Sequence, residues 1–216
     1  MAAHLTLPTV LSALAILAVG LVLAPPAVPA PHKAEAGGDL IVCLSGIPAG
    51  QTLTGTSGND TILVPGVVFG TAISVLGTVD GAGGDDVVTT GDVGAGGTVR
   101  GGSGDDTVTA VAVGAIAGTA RVEGQAGHDT IRAAETGPIV GGIAIVSGGD
   151  GDDTLEGIAA GINGTGVVNG DSGDDTIQGV GGTVMVVGAR GTANGGAGIN
   201  TCSVLPLPGG TATNCS

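Results

Sequence analysis

A chain of 216 residues with 46 glycines, one phenylalanine, no tyrosine and no tryptophan cannot fill the thick, aromatic-rich core of an ordinary globule of that size. Its mean hydropathy of +0.52 excludes disorder throughout, because disordered chains are poor in apolar residues. The net charge of −14, from 19 acidic against 5 basic residues, repels nucleic acid and anionic lipid and draws cations.

In chain order, residues 1–36 read as an export signal. An apolar run from Val10 to Leu23 is broken only by Ser12 and Gly20 and is followed by Pro25-Pro26. Small-residue cleavage sites come next, at Val28-Pro29-Ala30 and Ala34-Glu35-Ala36. The first nine residues carry no Lys or Arg, only His4. Fourteen apolar-run residues are short for a bilayer-spanning helix, so the expectation is a cleaved signal, a secreted mature chain and no membrane insertion. Residues 37–54 are expected to cap the N-terminal end of a repeat region that begins at residue 55.

Within that region, seven nine-residue stretches align without gaps: Gly55–Leu63, Gly81–Thr89, Gly101–Thr109, Gly124–Arg132, Gly148–Glu156, Gly170–Gln178 and Gly195–Ser203. Gly fills the first and fourth positions of every copy. The sixth is Asp60, Asp86, Asp106, Asp129, Asp153, Asp175 and finally Asn200. The fifth is often acidic too, as Asp85, Asp105, Asp152 and Asp174, with His128 in the fourth copy. The eighth is apolar throughout: Ile62, Val88, Val108, Ile131, Leu155, Ile177 and Cys202.

Sixth positions are 26, 20, 23, 24, 22 and 25 residues apart. Two places before each copy stands an apolar residue (Leu53, Val79, Val99, Val122, Val146, Val168, Ala193), and its successor is polar. That alternation is strand-like, whereas glycine at this density is costly inside a helix. Each unit reads as strand, tight glycine loop, strand and looser return. The expected fold is all-β: a parallel β-solenoid or β-roll of about seven coils of 20–26 residues over 55–203, with one row of Gly/Asp loops. Residues 204–216 are expected to form a C-terminal cap tied by a Cys202–Cys215 disulfide. Cys43 is left over, either as a free thiol or as a link to another chain.

The nonapeptides resemble the repeats-in-toxin (RTX) calcium-binding motif, Gly-Gly-x-Gly-x-Asp-x-hydrophobic-x. The resemblance covers about residues 55–203. It implies calcium held between loops of successive coils in an exported bacterial calcium-binding protein. The family's motifs run in tandem, two to a coil. Here each alternates with a variable stretch such as Ala110–Ala120, which implies calcium along one edge only. Toxin activity does not carry over.

The residue chemistry points the same way. Calcium takes six to eight oxygens from carboxylates, carbonyls and water, and Gly-rich turns aim carbonyls at one point. The candidate metal-binding residues are Asp60, Asp85, Asp86, Asp105, Asp106, Asp129, Asp152, Asp153, Asp174 and Asp175. Stacked at about 4.8 Å, two such carboxylates repel by roughly 0.9 kcal/mol in water and about 3.5 kcal/mol at an effective dielectric of 20. Metal binding and folding are therefore expected to be coupled. An EF-hand is excluded, because no stretch has its acidic spacing.

Two other functions meet obstacles in the composition. A polysaccharide-modifying enzyme on a β-helix needs a base, an acid and stacking aromatics. With three His, five Lys plus Arg and no Tyr or Trp the chain offers no such cluster, so no enzyme is expected. An ice-binding solenoid needs an outward Thr-x-Thr stripe. Thr107-Val108-Thr109 fits, but Leu63, Arg132, Glu156 and Gln178 interrupt it.

Overall fold

The fold is seen in a computed structural model that describes residues 21–23, 38–68, 71–72, 74–110, 120–133, 145–157 and 165–216. The expected export signal, apart from residues 21–23, lies outside these, as does most of the variable stretch after Ala110.

Each glycine loop joins an entry strand to an exit strand, and like strands stack coil upon coil. The entry sheet has eight parallel strands: Thr52–Thr54, Thr78–Asp80, Thr98–Ser103, Arg121–Ala126, Ile145–Asp150, Val167–Ser172, Thr192–Asn194 and Thr211–Thr213. The exit sheet has nine: Leu21–Leu23, Leu40–Val42, Thr61–Val64, Val87–Thr90, Thr107–Ala110, Thr130–Ala133, Thr154–Gly157, Thr176–Gly179 and Thr201–Cys202. Both run in sequence order, the arrangement of a parallel β-solenoid. The one short helix among the described residues is a single 3-10 turn at Val180–Gly182. None of the described helices is long and apolar enough to cross a membrane.

Period-two alternation decides which side chains go inside. The strand Thr107–Ala110 alternates half-buried and buried positions, as do Thr154–Gly157 and Thr176–Gly179 on later coils. In-register pairing then stacks Ile41, Ile62, Val88, Val108, Ile131, Leu155 and Ile177 into one inward column, each at most 5% exposed. Leu53, Val79, Val99, Val122, Val146, Val168 and Ala193 make the facing column from the entry sheet. Each column adds one apolar side chain per coil to a thin core, and branched Val and Ile dominate it without aromatics.

The return side is partly walled. Ser74–Val75 pairs with Asp92–Val93, Met185–Val187 pairs with Val204–Pro206, and Ile47 bridges to Val75. Ile47, Val75, Val93, Met185 and Val187 are buried there. At the C-terminal end Cys202 and Cys215 are disulfide-bonded, 13 residues apart. Cys43 is a free thiol, 1% exposed, donating to the Gly46 carbonyl at 3.3 Å.

Candidate metal centre

The seven loops lie on one edge of the solenoid, and their glycines serve two different needs. The fourth-position glycines of all but the first loop adopt positive φ, as at Gly127 (134°), a region that L side chains avoid. The first-position glycines do not. They are needed for space: a Cβ on Gly101 would stand 2.4 Å from Asp106 Oδ2 in its own loop. Positive φ falls instead at the second position, on Ala82, Gly102, Gln125, Gly149, Asp171 and Gly196.

Asp86, Asp106, Asp129, Asp153 and Asp175 are each 1% exposed and form an inner row. Each uses Oδ1 to accept the backbone N–H of the sixth-position residue one coil earlier. Asp60 donates to Asp86 at 2.7 Å, Asp86 to Asp106 at 2.8 Å, Asp106 to Asp129 at 2.8 Å, Asp129 to Asp153 at 2.8 Å and Asp153 to Asp175 at 3.0 Å. Asn200 ends the series by accepting the Asp175 amide at 2.7 Å.

The fifth-position residues form an outer, exposed row whose bonds run the opposite way. The Asp105 amide donates to Asp85 at 3.0 Å, the His128 amide to Asp105 at 2.8 Å and the Asp174 amide to Asp152 at 2.8 Å. His128 keeps the row continuous, because its Nδ1 accepts the Asp152 amide at 3.0 Å. Successive residues of an extended chain point their amides in opposite directions, so the two rows must differ in polarity.

The two rows also differ in what is left over. The Oδ2 atoms of Asp86, Asp106, Asp129, Asp153 and Asp175 are buried and have no hydrogen-bond partner. Leaving a buried charged acceptor unpaired is costly. Burial pushes the Asp86 and Asp129 carboxyls up to about 6 and those of Asp106 and Asp153 up to about 7, with Asp175 also raised. The amide bond from the previous coil opposes that rise, and neighbouring carboxylates add to it in all five rungs.

These oxygens face backbone carbonyls. The space a Cβ would fill on Gly81 lies 2.3 Å from Asp86 Oδ2 and 2.1 Å from the Gly101 carbonyl of the next coil. At Gly170 the corresponding distances are 2.2 Å to Asp175 Oδ2 and 2.2 Å to the Gly195 carbonyl. A carboxylate and a carbonyl oxygen thus converge beside Gly81, Gly124, Gly148 and Gly170, an all-oxygen donor set that suits a hard cation. No group of three or more His, Cys, Asp or Glu side chains converges among the described residues. A stacked row offers a cation only neighbouring carboxylates, and carbonyls and water must complete its shell.

Of the ten acidic residues singled out by sequence, Asp86, Asp106, Asp129, Asp153 and Asp175 share the inner row. Asp85, Asp105, Asp152 and Asp174 lie in the outer row. Asp60 stands apart: its Oδ2 already accepts the Thr56 amide at 2.5 Å. One rung is not evident from the repeat alignment. Asp39 donates its amide to Asp60 Oδ1 at 2.6 Å, and its carbonyl accepts the Thr61 amide at 2.7 Å, so it holds the sixth-position register of an earlier coil. Its only signal is Gly37-Gly38-Asp39-Leu40-Ile41, which carries half of the repeat frame.

Comparison with protein-family models, with characterised proteins and with solved structures returns no match for this chain.

Proposed function

We propose that this chain is a secreted, non-catalytic calcium-binding repeat protein with a structural or adhesive role. Calcium held by the inner row stabilises the stacked loops. The observation that carries this reading is the column of five buried Oδ2 atoms without partners. A divalent ion supplies what those atoms lack, since it neutralises adjacent carboxylates and binds them and the loop carbonyls together. Asp86, Asp106, Asp129, Asp153 and Asp175 would hold the ion, and an all-oxygen set of carboxylates and carbonyls is what calcium takes.

The similarity of the nonapeptides to RTX repeats supports the same ion. Secretion is supported by the Cys202–Cys215 bridge, a bond of oxidising compartments, and by the signal-like first 36 residues. Two experiments test the proposal together: calorimetric calcium titration of the mature chain, and circular dichroism in calcium and in chelator. Saturable calcium uptake with a gain in β-structure is expected. Full β-structure in excess chelator with no metal uptake overturns it.

A further inference from the structure

The column of unpartnered oxygens has two ends, and each is made by a residue that departs from the repeat. At the N-terminal end, Asp60 occupies the sixth position but is fully engaged by protein. Its Oδ2 accepts the Thr56 amide at 2.5 Å, and its Oδ1 accepts the Asp39 amide at 2.6 Å and the Thr56 hydroxyl at 3.2 Å. It is absent from the carboxylates with an orphaned oxygen.

The cause is local. Thr56 is the second residue of its loop, the position that takes positive φ in the other six loops, and it does not take it. Branching at Cβ makes that region a severe outlier for threonine. Gly58, in the fourth position, also lacks the positive φ of its counterparts. The backbone therefore takes another path, and the Thr56 N–H meets the oxygen that stays free in later coils.

At the C-terminal end, Asn200 Oδ1 accepts the Asp175 amide, which fixes the orientation of the side-chain amide. Its Nδ2 is left buried and unpartnered, in the place held by Oδ2 in the preceding rungs. A donor N–H there is neutral, offers no lone pair and points hydrogen at any cation.

We infer that Thr56 and Asn200 are the stops of the cation column, so that calcium occupies only the run from Asp86 to Asp175 and the Asp60 carboxylate holds none. This rests on the calcium reading above and goes beyond it in naming what limits the number of ions. The test is a count of bound calcium per chain on the full mature protein, by equilibrium dialysis with elemental analysis. Circular dichroism checks that each variant folds.

Thr56→Gly, which permits positive φ, and Asn200→Asp, which restores the carboxylate, are each expected to add about one calcium per chain. Asp60→Asn in the natural background is expected to leave the count unchanged, yet to cancel the gain of Thr56→Gly. Folded Thr56→Gly and Asn200→Asp variants with an unchanged count, or a lower count in Asp60→Asn alone, overturn the inference while the calcium reading stands. A natural chain that takes up no calcium overturns the calcium reading itself.

Discussion

The backbone N–H of Asp106 lies 2.8 Å from the carboxylate of Asp129 on the next coil, and the second oxygen of that same carboxylate is buried without a partner. One side chain thus provides both a bond between coils and an unsatisfied oxygen, and substitution separates the two. Asp129→Asn keeps an oxygen for the Asp106 amide and removes a buried charge. It is expected to leave the metal-free protein as stable as before, or more so, and to lower calcium uptake. Asp129→Ala orphans the amide and should cost about 1–3 kcal/mol in chelator, and more in calcium, where the side chain's contribution to metal uptake is lost as well. Thermal unfolding in chelator and in calcium separates these cases.

The inner row also sets the pH response of the metal-free chain. Its carboxyls ionise near 6 to 7 when folded, against 3.8 ordinarily, and burial raises Asp175 and Asp92 as well. The folded state therefore binds more protons than the unfolded one between those limits. The stabilisation is complete below about pH 4 and is lost as pH rises through 6 to 7. Urea melts in chelator should show a midpoint that falls across that window. Calcium at neutral pH should restore it, and acid should weaken calcium binding because protons compete for the same oxygens.

Glycine substitutions should follow position rather than exposure. A Cβ on Gly127 would sit 2.0 Å from the Gly104 carbonyl, on a backbone with φ of 134°. Gly127→Ala combines strain with overpacking and is expected to cost about 2–6 kcal/mol. Gly96 has positive φ but nothing within 4 Å of its Cβ position, so Gly96→Ala should cost only about 1–2 kcal/mol of backbone strain. Chemical denaturation of the two variants in calcium makes the comparison.

The disulfide closes a span of 13 residues, for which chain entropy gives roughly 3 kcal/mol. Cys202→Ser is expected to destabilise the chain by up to that amount. Its effect should concentrate in the last coil, where the Ser216 amide donates to the Asn200 carbonyl at 2.9 Å and the Thr211 amide to the Gly191 carbonyl at 3.0 Å. Amide exchange should speed up there and stay slow at Val99 and Val122. Cys43, 1% exposed, should resist alkylation until the chain unfolds.

Much of this architecture is legible in the residues alone, because its rules are local. Alternation with period two names Val99 and Val108 as inward-facing, whatever they pack against. The fixed interval from Gly to Asp marks the loops, and the nearness of Cys202 and Cys215 at the C-terminal end of an expected secreted chain points to their bond. The relationships between coils are not local. Asp39 joins the inner row although its loop lies outside the aligned repeats, because register with Thr61 is set by the stacked sheet. Asp105 and Asp106 are adjacent and chemically alike. Yet Asp105 faces solvent and accepts an amide from the following coil, while Asp106 is buried and accepts one from the preceding coil. Asp60 shares its motif with Asp86, but the branched Thr56 turns its loop so that a protein N–H meets the carboxylate. The order of residues along the chain thus settles which side chains face inward and where the backbone turns. Stacking of the coils settles which carboxylate oxygens remain unsatisfied, because a partner one coil away is assigned by register in three dimensions and not by adjacency along the chain.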